Sequence, residues 1–101
     1  MEKKEVGMEG LMELNDAVGY LEGIVKSLKE GKIFVQKGEE VVELNPEKNV
    51  FFELNVKQKK SKEKISIDLF WGKNTKEEKE EEPEQVVISS KGPAGYGTEK
   101  E

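Results

Sequence analysis

Between residues 65 and 71 apolar side chains stand at every second position: Ile65, Ile67, Leu69 and Trp71, with Ser66, Asp68 and Phe70 between them. A period of two places the first set together on one face of a β-strand. The same alternation runs through 50–57, where Val50, Phe52, Leu54 and Val56 share a parity, and in shorter form at Ile33 and Val35 and at Val42 and Leu44. A Lys37, Gly38 turn, an Asn45, Pro46 turn and a lysine-rich loop over 57–64 separate the runs. Connections this short join antiparallel neighbours, so the pattern predicts a meander of four strands over 33–36, 40–44, 50–57 and 64–71.

Upstream the period lengthens to that of a helix. Asn15 as N-cap, Asp16 in the first turn, Lys26 and Lys29 toward the far end and Gly31 as the stop delimit a helix over about 16–30. Its apolar face gathers Ala17, Val18, Leu21, Ile24, Val25 and Leu28, with Glu22, Lys26 and Glu30 opposite. Such a helix is about 22 Å long and a seven-residue strand about 23 Å, so one helix matches the strands in length. The expected fold is α+β: a two-layer sandwich, one amphipathic helix on an antiparallel meander of about four strands. Before the helix, 6–14 alternates loosely around Gly7 and Gly10, as a short first strand or an extended arm.

After Trp71 the pattern stops. Residues 76–84 hold six glutamates, two lysines and Pro83, a solvated acidic linker by composition. Val86, Val87 and Ile88 return to strand-forming residues, and 91–101 is a glycine-rich tail expected not to order. The organisation is therefore an arm (1–10), a domain (11–72), the linker (73–84), an additional strand (85–90) and the tail (91–101).

Composition narrows the chemistry. The chain is 101 residues long with 39% charged and 34% hydrophobic residues, enough for one domain with a modest core. It has no Cys and no His, which removes thiolate and imidazole chemistry and the usual zinc ligands. All 17 basic residues are Lys, and a Lys- and Glu-rich surface is compatible with a thermophilic source. No run is apolar or long enough for a secretory leader or a bilayer span, so the expectation is a cytoplasmic protein with no membrane partner. Phosphate-binding loops, nucleophile triads and dinucleotide fingerprints are absent, and the glycines of 92–97 do not join a strand to a helix. An enzyme would have only Lys, Tyr and carboxylates, and neither catalysis, a metal nor a cofactor is expected.

Several motifs occur in an order that resembles a known family. A helix ends in Leu28, Lys29, Glu30, Gly31, Lys32 and Ile33; the Gly38 turn, the Asn45, Pro46 turn, the alternating strand 50–56 and the strand ending in Trp71 follow. Together, over roughly 11–72 and with the return strand near 86–89 as an added element, they are similar to the amphi-Trp domain, a small prokaryotic domain. The resemblance implies the fold and a bacterial or archaeal origin, and carries no activity or binding residues.

Six features are candidate sites, most of them with a plainer reading. Trp71 shares the inner parity and reads as a core cap before it reads as a ligand platform. On the outer parity, Phe34 beside Val41 and Phe51 beside Phe70 would form a diagonal apolar patch that another chain, the arm or the 86–89 segment covers. The same register would bring Glu53 opposite Asp68, a carboxylate pair on an open face with no pocket around it. Gly19, Gly23 and Ser27 repeat at four-residue spacing beside Tyr20, a smooth stripe allowing close approach or merely tolerated glycines. Lys57, Lys59, Lys60, Lys62 and Lys64 against Glu63 give a local +4 that suits phosphates, in a chain whose net charge is −5 and which has no Arg to read guanine. Without interleaved aromatics, a solvated hairpin tip is the plainer reading of that loop. Val86, Val87 and Ile88 are the candidate added strand, docking on the chain's own sheet in preference to another's. The expected function is a non-catalytic protein-interaction or assembly module, dimerisation being one form. Polyanion or nucleic-acid binding through 57–64 is second and an enzyme third.

Overall fold

The computed structural model describes residues 3–72 and 84–93. Among the described residues one helix, α1 (Leu14–Lys29), precedes four strands: β1 (Ile33–Lys37), β2 (Glu40–Leu44), β3 (Phe51–Lys59) and β4 (Lys62–Phe70). This is an α+β fold, and every strand pairing in it is antiparallel.

The helix begins two residues before its expected start. Glu13, in extended conformation, is the N-cap and makes no side-chain cap bond; its carbonyl accepts from the Asp16 and Ala17 N–H groups at 3.0 and 3.1 Å. Asn15 therefore lies inside the first turn. The far end follows the expectation closely. Gly31 takes φ +91°, its N–H donates to Leu28 O at 3.0 Å, and the Lys32 N–H reaches back to Ser27 O at 3.3 Å. Those two bonds close a Schellman motif, which needs a left-handed residue just past the helix.

The strands form two separate ladders, β1–β2 and β3–β4, in place of the single four-strand meander expected. Within each ladder the register keeps parity: Ile33 pairs with Leu44 and Val35 with Val42, while Phe52 pairs with Leu69, Leu54 with Ile67 and Val56 with Ile65. Between the ladders, 45–50 is longer than a hairpin turn and contains Pro46, which has no N–H to give a ladder. Gly38, at φ +62°, is the first of two residues joining β1 to β2, the position at which a II′ turn requires a positive φ.

The helix lies against β1 and does not span a four-strand sheet, so the sandwich expected from element lengths is not realised. Ile33 is the one buried hydrophobic among the described residues, at 7% exposure. Val18, Leu21, Ile24 and Val25 on the helix stay exposed, with Ala17 and Leu28 half-buried. Trp71 stands one residue beyond β4 and is half-buried, so it is not the core plug its parity suggested. The arm contains no strand from Lys3 to Glu13; Lys37 Nζ donates to Gly7 O at 3.0 Å. The acidic linker apart from Glu84, and the tail beyond Pro93, lie outside the described residues.

Candidate interaction surfaces

The β3–β4 ribbon carries more of the candidate residues than any other element, because nine residues of each strand pair across a two-residue connection at Lys60 and Ser61. Paired residues of an antiparallel ladder face the same way, so the register sorts the ribbon into two faces. One face is apolar: Phe52 with Leu69, Leu54 with Ile67 and Val56 with Ile65. It closes toward the tip with Gln58, whose Nε2 donates to Glu63 Oε2 at 3.0 Å. Phe52, Val56, Ile65, Ile67 and Leu69 are between 37% and 69% exposed, so this face is largely uncovered.

The opposite face is banded. Phe51 meets Phe70 at the base, with ring centroids 4.8 Å apart and planes tilted by 32°. Glu53 then faces Asp68, Asn55 faces Ser66, Lys57 faces Lys64 and Lys59 faces Lys62. The lysines expected in a loop over 57–64 are thus mostly strand residues, and only Lys60 and Ser61 turn. Sequence reasoning placed Phe51 with Phe70, as the register has them, and missed the two lysine pairs, which a two-residue turn at Lys60 and Ser61 would have fixed. The Glu53 and Asp68 pairing is as expected, but no group of three acidic, His or Cys residues able to hold a metal ion occurs among the described residues.

On β1–β2 the expected Phe34 and Val41 pair is displaced by two residues along the ladder. Phe34 faces Glu43, and Val41 faces Gln36. Phe34 and Val41 are diagonal neighbours, with Lys32 Nζ 3.1 Å from Glu43 Oε2 and 5.9 Å from the Phe34 ring centroid. The two halves of the anticipated patch, Phe34 with Val41 and Phe51 with Phe70, belong to different ladders.

The helix stripe is turned toward β1, with Gly19, Tyr20 and Gly23 exposed and Ser27 half-buried. Gly19, Tyr20, Gly23 and Ser27 line a cavity of about 620 Å³ with β1 on its other side and Gly7 of the arm beside it. A Cβ built on Gly19 or Gly23 meets nothing within 4 Å, so the stripe is not a site of tight backbone approach. Val86, Val87 and Ile88 form no strand and are strongly exposed, Val87 at 90%, so docking on the chain's own sheet is not realised.

Comparison with known proteins adds one finding. The family model of the Amphi-Trp domain matches residues 1–89, a longer span than 11–72, which takes in the arm and Val86, Val87 and Ile88. No curated protein and no solved structure matches the chain.

Proposed function

The chain belongs to the Amphi-Trp domain family, and from that premise we propose that it is a non-catalytic protein-interaction or assembly module. The supporting observation is the mismatch between pattern and burial. The register segregates apolar residues onto one face of the β3–β4 ribbon and the helix collects its own apolar side chains, yet Ile33 alone is buried among the described residues. Contiguous apolar surface of this kind marks sites where another chain sits. Glu53 and Asp68 stand on an exposed ribbon face, so a catalytic role for them lacks the concave, water-excluding setting that acid–base work uses. Sedimentation velocity combined with binding of a hydrophobic dye tests the reading. Association or strong dye binding is expected; a monomer that binds no dye has covered its own faces and ends it.

A second reading is favoured by the tip of the same ribbon. Lys57 opposite Lys64 and Lys59 opposite Lys62 place like charges in direct cross-strand pairs, a destabilising arrangement that a bound polyanion would relieve. Retention on single-stranded DNA that falls steeply with salt, and is lost in a Lys57→Ser, Lys64→Ser variant, is its expected signature.

A further inference from the structure

We propose that the occupant of the apolar β3–β4 face is the same face of a second copy of this chain, packed about a two-fold axis through the Leu54 and Ile67 pair. The inference rests on the assembly reading and names its partner. Three observations carry it.

First, the face is self-complementary in shape. A two-fold at Leu54 and Ile67 sets the Phe52 and Leu69 pair of one copy against the Val56 and Ile65 pair of the other, an aromatic and a γ-branched side chain against two β-branched ones. An isologous contact demands this kind of self-matching. Second, the area suffices. From the exposures of these side chains, each face offers roughly 500 Å² of accessible apolar surface, so the pair would bury about 1,000 Å², the lower bound for a specific interface. Third, charge selects the direction. Lys57, Lys59, Lys60, Lys62 and Lys64 crowd the tip with only Glu63 against them. Parallel ribbons would stack two such tips on each other. The two-fold arrangement holds them about 40 Å apart at ~3.4 Å per residue, well beyond a Debye length of about 8–10 Å. The banded polar faces then point outward on both sides, the ordinary disposition of an antiparallel sheet with one buried face.

The test uses the full chain. Sedimentation should show a dimer at micromolar to hundred-micromolar concentration, and Ile67→Glu should weaken it at least 100-fold with the far-ultraviolet circular dichroism unchanged, since Ile67 is half exposed in the single chain. Asn55→Glu, one residue along from Leu54 and on the opposite face, should leave the dimer intact. Because the chain has no cysteine, Lys60→Cys takes a single spin label, and the dimer should give one inter-label distance near 40 Å. A label distance near 15 Å would overturn the antiparallel arrangement. A dimer indifferent to Ile67→Glu would overturn the inference while leaving the assembly reading standing on another face. A strict monomer that still binds the hydrophobic dye would likewise remove the second copy and retain an outside partner. A monomer without dye binding removes both.

Discussion

Two glycines separate backbone need from tolerance. Gly31 holds φ +91° at the helix end, where a side chain crowds the following carbonyl, so Gly31→Ala should lower stability by about 1–2 kcal/mol. Gly19 sits in regular helix with open space where a Cβ would stand, and Gly19→Ala should raise stability by about 1 kcal/mol. Thermal melts of the two variants should therefore move in opposite directions; a loss of stability in Gly19→Ala would show that something packs on the stripe. The first of these residues was legible in the sequence because a helix stop is a local event: Gly follows the last apolar position and two lysines. The helix start was not legible. Asn15 is the better capping residue, but the backbone turns at Glu13, which shows that capping preference, worth about 1 kcal/mol, does not by itself fix where a helix begins.

At the scale of elements, parity was legible and sheet assembly was not. Alternation determines which residues share a face, and the pairs Leu54 with Ile67 and Val35 with Val42 follow from it once the turns are placed. It does not determine whether two hairpins share an edge, because that rests on backbone hydrogen bonds across 45–50 that no side chain announces. The turns themselves differ in quality. Gly38 supplies the positive φ of its hairpin, whereas neither Lys60 nor Ser61 has one, although two-residue loops favour primed turns that match strand twist. Replacing Lys60 and Ser61 by Asn and Gly should therefore stabilise the β3–β4 ribbon by up to about 1 kcal/mol. Slower amide exchange at Asn55 and Ser66, a hydrogen-bonded pair of the ladder, would register the gain. Unchanged exchange would mean that the present turn already fits. The aromatic pair at the base offers a complementary change: Phe70→Ala removes a ring contact worth about 0.5–1.5 kcal/mol beyond its burial and should speed exchange at Glu53, in the adjacent hydrogen-bonded pair.

For the molecule as a whole, exposed area is the governing quantity. Among the described residues large hydrophobic side chains on α1 and on all four strands stay exposed, and Ile33 alone is buried. A domain holds together by only about 5–15 kcal/mol after conformational entropy is met, and a single chain with one buried hydrophobic side chain among its described residues has little apolar burial to set against that entropy. Association of the apolar faces would then add to the stability of the single chain. If folding and dimerisation are linked, each tenfold rise in protein concentration adds about 1.4 kcal/mol per dimer, which for two chains of this length moves the melting temperature by about 3 °C. Calorimetry from 5 to 500 μM, an experimental range of two decades, should thus shift the midpoint upward by about 6 °C, and Ile67→Glu should abolish the dependence as well as lower the midpoint. A midpoint independent of concentration in the parent chain would mean that the apolar faces are satisfied within one copy, by α1 swinging from β1 onto the ribbon, and Ile67→Glu would then destabilise a monomer while leaving its mass unchanged.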